Sequence, residues 1–497
     1  MTRDMQRHRR LKLNGWWVLW AILGIGLLLR IGLMLFYTPT IFNYHGGDSA
    51  RYLRLSFTGV TPLFGDSGAP AGYPAFLDTM RFISAWLPFT VIVQHLLGLA
   101  TALLLYGAVT RAGAPRWAAL LPAIVVVFSG DHLFLEHGIF SEALWMPALA
   151  LAMYLIASAI SSSRPTYWLV LGGAALAISA LFRNASDVLP VVLAVWAAFA
   201  IPGTRSVRLR NALALLVPAA IVIGTYALIA EVAGGYTGLY ENGGLSLYGR
   251  VAQFADCSKF TPPSGTSALC DDTPPTDRPG PFFWIFDPQS PIHTKLHIDA
   301  LNRDDQALLS GFARAAVISQ PLDYAWAAAT DFARFFVPSI GSTRPGGGTG
   351  PEAMSFASTV PTAQGVTLPG QALQYSILYD GVGDGEAPST SRDLWGWYQS
   401  LIRVSGYLTL LLIALAITGW VFGKEATRAG ASLFLIGGLV LLAVPVLFSS
   451  YDPRYAVPSI DLFAAGAAFG LAPLVQRIRD TAGAPPRREE QESVDVA

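Results

Sequence analysis

Ten apolar runs, each long enough or nearly long enough to cross a bilayer, decide what this chain can become. They lie at 16–37, 89–110, 116–132, 139–160, 167–183, 187–202, 211–231, 397–422, 428–449 and 456–475. A hydrocarbon core of about 30 Å takes roughly 20 helical residues. Inside it every backbone amide needs an internal partner, which only helices and closed barrels provide. Continuous apolar runs of this length predict helices. Composition agrees, since only 13% of the 497 residues are charged, against about 25% in soluble domains. The expected fold class is an all-α polytopic membrane protein of about ten transmembrane helices.

The charges flanking the runs predict orientation. Arg3, Arg7, Arg9, Arg10 and Lys12 precede the first run, which is longer than a secretory h-region and reads as a signal anchor with a cytoplasmic N-terminus. The alternate connections then all carry cations: Arg111 and Arg116; Arg164; Arg205, Arg208 and Arg210; Lys424 and Arg428; and the tail with Arg477, Arg479, Arg487 and Arg488. The chain is therefore expected in the cell membrane with both termini cytoplasmic. Five units follow: a basic N-terminus at 1–15, a transmembrane module at 16–231 that includes outer loop 38–88, an extracytoplasmic loop domain of mixed structure at 232–395, C-terminal helices at 396–475, and a disordered cytoplasmic tail at 476–497. Net charge is zero, so nothing points to a nucleic-acid partner. Lysine occurs only at 12, 259, 295 and 424, which hints at a high-GC bacterial source.

The long outer loop holds both cysteines, Cys257 and Cys270. On an oxidising face such a pair is expected as a structural disulfide. QPLDYAWAAATDFARFFVPS, 320–339, has the pattern of an interfacial helix. TRPGGGTGPE, 343–352, reads as a flexible stretch. Nucleoside-triphosphatase, zincin and esterase motifs are absent from the sequence.

The first outer loop opens with NYHGGDSARYLRLSFTG, 43–59. The diglycine permits a tight turn, and Asp48 stands where a helix could start, either as its N-cap or as a working carboxylate. Arg51, Arg54 and Thr58 would share one side of that helix and Tyr52, Leu53 and Phe57 the other, so it could lie in the interface with its apolar side down. A second polar set comes from GDHLFLEHGIFSEALW, 130–145, read as a short connection leading into the fourth run: Asp131, His132, Glu136, His137 and Glu142. An acid at the edge of an apolar run is costly unless it is paired or functional. Arg30, Arg183 and Arg454 sit near outer membrane boundaries. Arg30 is expected to snorkel, whereas Arg183 and Arg454 are open between headgroup contacts and function. Acids and arginines from separate runs meeting at one surface suit an anionic, partly lipidic substrate.

Asp48-Ser-Ala-Arg51-Tyr52 after a signal anchor resembles the start of the first periplasmic loop in bacterial aminoarabinose lipid A transferases. AGYPAFL (71–77), FLEHGIFSEALW (134–145), LFRNA (181–185) and PRYAVPSIDLFAAGAA (453–468) are similar to further stations of the same superfamily. These are membrane glycosyltransferases of GT-C fold, with protein O-mannosyltransferases and polyprenyl-phosphate-dependent sugar transferases among them. Ser49 departs from the pattern, where the family carries a second acid. The resemblance implies an inverting transferase that moves a sugar from a polyprenyl-phosphate donor to an extracytoplasmic hydroxyl of a glycan, lipid or protein. It implies Asp48 as the catalytic base, with Arg51, Tyr52, Glu142, Arg183 and Arg454 binding substrate. No cofactor is required by it, although a divalent cation, Mg or Mn, on Asp48, Glu142 and His137 is one expectation. The rival readings are a transporter or flippase of a lipid-linked glycan and a non-enzymatic envelope-assembly protein.

Overall fold

The computed structural model describes residues 15–37, 48–57, 63–64, 68–298, 302–337, 340, 354–356 and 389–483. The expected turn at 45–47, the position of Thr58, the flexible stretch at 343–352 and the tail beyond 483 lie outside the described residues.

All ten apolar runs fall on helix, but not all as simple spans. The first forms α1 (Gly15–Phe36). Two short helices follow, α2 (Asp48–Phe57) and α3 (Gly72–Ile83), and then α4 (Leu87–Arg111). The third run forms α5 (Arg116–Phe128) and bends by 51° at Ser129 into α6 (Gly130–His137). What read as a polar connection at 130–137 is therefore a helix, all eight of its residues buried. Ser129 turns the chain to β geometry, and its hydroxyl accepts from the His132 amide as an N-cap. Then come α7 (Glu142–Ile160), α8 (Pro165–Ala180), α9 (Leu189–Ala200) and α10 (Arg205–Gly234). Among the described residues seven helices are long and apolar enough to cross a membrane, or eight if the bent pair is one span. The chain is a multi-pass membrane protein.

Helices α8 and α9 have only 16 and 12 residues. At 1.5 Å per residue they reach about 24 and 18 Å, short of a 30 Å core. Their connection carries Arg183, which is buried. Close approach holds this region together, since a side chain on Gly173 of α8 would collide with the Leu215 carbonyl of α10.

The segment after α10 contains α11 (Gly243–Ala252), α12 (Pro281–Phe286), α13 (Pro291–Thr294), α14 (Arg303–Ser319) and α15 (Pro321–Arg334). Short 3-10 turns and irregular connections join them, with no strand among the described residues. Leu245, Tyr248, Trp284, Leu309 and Phe312 give it a core of its own. A capping box between Asn302 and Asp305 starts α14. Cys257 and Cys270 are joined by a disulfide, as expected. The chain returns through α16 (Ser389–Leu401), α17 (Gly406–Phe422), α18 (Glu425–Phe448) and α19 (Ala456–Gly483). The run expected at 397–422 is thus divided between α16 and α17.

Candidate functional site

Asp48, Arg51, Tyr52, Glu142, Arg183 and Arg454 meet in one cluster built from four separate parts of the chain. Asp48 opens α2. Its Oδ1 accepts from Arg51 Nη2 at 3.0 Å, and its Oδ2 accepts from Arg454 Nη1 at 3.0 Å. Arg454 belongs to a 3-10 turn, Pro453–Tyr455, capped by Asp452. The same Asp452 accepts through Oδ2 from Arg454 Nε at 3.3 Å and Nη2 at 3.2 Å. With one face of the guanidinium fixed in this way, Nη1 points at Asp48 and comes within 3.7 Å of Glu142 Oε1. Glu142 begins α7, and Arg183 Nη1 lies 2.9 Å from the same oxygen. That contact is close but not directional, because Glu142 Oε1 makes no hydrogen bond.

Ser141 is the hub beneath these charges. Its hydroxyl accepts from Tyr52 Oη at 3.2 Å and Arg183 Nη1 at 3.2 Å, and donates to Glu142 Oε2 at 3.3 Å. The Arg183 guanidinium lies over the Tyr455 ring at 4.9 Å, a cation–π contact. Trp145 Nε1 donates to Ser186 Oγ at 2.7 Å and pins the turn that carries Arg183. Ser49 is buried and donates to the Ile139 carbonyl at 2.9 Å. It fastens α2 to the turn before α7.

Exposure grades across the site. The Glu142 side chain is 1% exposed, Asp48 24% and Arg51 30%, so the cluster is closed at Glu142 and open at Asp48. Burial pushes the Asp48 carboxyl up. The guanidinium of Arg454, followed by those of Arg51 and Arg183, outweighs burial and holds it below the ordinary value of 3.8. Burial, reinforced by the Asp48 charge, raises the Tyr52 hydroxyl, which keeps it a donor.

Three expectations need correcting. Helix α2 does not float apolar side down on lipid. Tyr52, Leu53 and Leu55 are buried in protein, and Tyr52 meets Tyr73 edge-on at 5.0 Å. Arg30 does not snorkel. It is 1% exposed and grips Glu136 through Nε–Oε2 at 2.8 Å and Nη2–Oε1 at 2.7 Å. A partner inside the bundle removes the reason to reach for water. Finally, Asp48, Glu142 and His137 do not form a metal set. His137 faces His95, Nδ1 to Nε2 at 3.2 Å, and the Tyr37 ring. The place a cation would share between Asp48 and Glu142 is taken by the Arg454 guanidinium. Among the described residues no three His, Cys, Asp or Glu side chains gather as metal ligands would.

The polar residues of 130–137 form a second, deeper network. Glu136 also receives His95 Nδ1 at 2.9 Å, and His132 Nε2 pairs with Asp461 at 2.9 Å. Asp131 turns away to Gln399 and Arg403. Gly98 leaves room for the Glu136 carboxylate, which any side chain there would strike. Sequence reasoning missed Ser141, Asp452 and His95. Asp452 carried a signal, since an Asp two residues before a 3-10 arginine is a capping position. Ser141 and His95 carried none, because their partners are distant in sequence.

No family model matches the chain, and no curated protein matches it. Comparison with solved structures finds the oligosaccharyltransferase of Archaeoglobus fulgidus in its apo form, with TM-score 0.44 and 13% identity over 94% of this chain and 52% of that one. The same enzyme tethered to an acceptor peptide gives 0.41 and 12% over 94% and 50%. In complex with an inhibitory peptide and a dolichol-phosphate it gives 0.41 and 13% over 96% and 53%. The chain spans about half the length of the structures it is similar to.

Proposed function

We propose that the chain is a membrane glycosyltransferase that moves a sugar from a polyprenyl-phosphate donor to a hydroxyl acceptor on the extracytoplasmic side, with inversion at the anomeric carbon. One observation carries this reading: a partly exposed carboxylate, Asp48, in contact with arginines from two directions at the open edge of an otherwise buried charge cluster. Nucleotide sugars do not cross a bilayer unaided, so an enzyme on that face needs a lipid-linked donor. The phosphate would lie against Arg454 and Arg183, whose guanidiniums stabilise charge building on the leaving oxygen. Asp48 accepts the acceptor proton as the hydroxyl oxygen attacks the anomeric carbon in line. The bond from that carbon to the phosphate oxygen breaks, and the released phosphate carries the electron pair. Glu142 Oε1, free of a directional bond, accepts from a sugar or acceptor hydroxyl.

The arginines are all paired before substrate arrives. Arg51, Arg183 and Arg454 face Asp48, Glu142 and Asp452, and these six charges cancel. An anionic donor must therefore enter by exchange. Drawing Arg454 toward phosphate removes the chief cation holding Asp48 down, so the base strengthens as the donor binds. The test is turnover of a panel of polyprenyl-phosphate sugars by purified protein and by Asp48→Asn. Loss of donor consumption in a variant that inserts and purifies normally is the expected result. Equal turnover by both proteins ends the assignment.

A further inference from the structure

Helix α15 is built inside out. Its buried face carries Ala328, Asp331 and Arg334, whereas Leu322, Ala325, Trp326 and Ala329 form an exposed stripe at i, i+3, i+4 and i+7. Leu322 is 83% and Trp326 77% exposed, and Ile318 at the end of α14 is 79% exposed. A surface helix in water shows the opposite arrangement.

The inward charges explain why the helix cannot turn over. Asp331 receives Arg250 Nη1 at 2.7 Å and Arg334 Nη1 at 3.2 Å. Arg250 also donates through Nε to the Val446 carbonyl at 2.7 Å, and Tyr324 Oη donates to the Leu447 carbonyl at 2.8 Å. These carbonyls belong to the last turn of α18, a membrane-crossing helix that ends at Phe448. They lack intrahelical partners. Side chains of α11 and α15 thus cap a spanning helix where it leaves the bilayer. That contact fixes the level of α15 at the membrane boundary, with its apolar stripe turned away from the protein.

We propose that α15 docks on the bilayer, burying Leu322, Trp326 and the adjoining Ile318 in the boundary between lipid headgroups and acyl chains. Lipid is the occupant because the stripe is level with the end of a span, where tryptophan is favoured, and because a helix of this design binds by its apolar area. The docked helix has a second contact of consequence. Arg334 lies over the Tyr451 ring at 4.3 Å and Phe335 packs on it at 4.8 Å. Tyr451 stands three residues before Arg454, so the anchored helix braces the turn that presents this arginine.

The test uses the absence of free thiols, since both cysteines of the sequence are in the disulfide. Leu322→Cys and Trp326→Cys in the full chain each supply a single site for a nitroxide, and Asp277→Cys, exposed elsewhere in the same segment, is the aqueous reference. Each protein is placed singly in lipid nanodiscs, and collision rates with oxygen and with a water-soluble nickel chelate are compared. Labels at 322 and 326 are expected to favour oxygen, with the reference favouring nickel. Nickel accessibility at 322 and 326 equal to the reference overturns the proposal. Protection from both reagents, or spin–spin broadening between copies in discs that hold two, overturns it equally by making the occupant protein.

Discussion

Replacing Arg30 with methionine tests the deepest claim made for the bundle. The guanidinium is 1% exposed and makes two short bonds to Glu136, which is itself fully buried. It also donates to the Gly26 and Val127 carbonyls, each at 3.2 Å. Removing one member of such a pair leaves an uncompensated charge and costs about 3–5 kcal/mol. His95, still 2.9 Å from Glu136, brings the expectation toward the lower end. Taken at about 2 °C per kcal/mol, the shallow end for mid-sized domains, this is a fall of roughly 6–10 °C. The double variant Arg30→Met with Glu136→Gln keeps an acceptor for His95 and removes both charges, so it should recover most of the loss. The assay is the fraction remaining monodisperse by gel filtration after heating in detergent, run on wild type, both single variants and the double. An arginine that snorkels predicts four indistinguishable curves. If Arg30→Met melts within about 1 °C of wild type, or the double variant is no better than the single, the buried pair is not the brace described.

Further outcomes follow from the site. A carboxyl whose folded value is depressed stays charged above that value, so in kcat/KM, which reports the free enzyme, the acid limb due to Asp48 lies below pH 3.8. Arg454→Met moves that limb upward, read in a pH–rate profile against a lipid-linked donor. Arg183→Lys keeps the charge but loses the face over Tyr455 and the reach to both Ser141 and Glu142. It should weaken donor binding about tenfold or more with insertion intact, measured by donor titration. Tyr52→Phe removes one hydrogen bond to Ser141 and should lower thermal stability by about 0.5–1.5 kcal/mol. Reduction of the Cys257–Cys270 bond should destabilise the 232–395 segment by about 3 kcal/mol, visible as faster proteolysis there under reductant.

Helix existence was legible because backbone satisfaction in a bilayer leaves few choices, and all ten apolar runs are helical. Where spans end was less legible. The run beginning at Arg116 looked continuous to 132, yet Ser129 caps a new helix within it. A hydropathy sum treats serine as mildly polar and does not register its capping hydroxyl. The short α8 and α9 were visible as short runs, but the burial of Arg183 against Ser141 and Glu142 depends on three dimensions.

The site was legible for a different reason. Glu142 is expensive at the edge of an apolar run, Arg183 and Arg454 lie at outer boundaries, and Asp48 stands in the loop on the same side, so one surface gathers charges of both signs. The same rule, applied to Arg30, gave the wrong answer. Its cost was assigned to water at the membrane surface, because Glu136 read as part of a polar connection and not as a residue of the buried helix the structure shows. What separates the two cases is depth. At the open edge Asp48 keeps 24% of its side chain exposed, and the proposed reaction exchanges its pairing with Arg454 for a donor phosphate, whereas Glu136 is fully buried. An ionised pair is a candidate for chemistry in this protein only where it borders a surface that an anion can reach, and that condition selects Asp48 over Glu136.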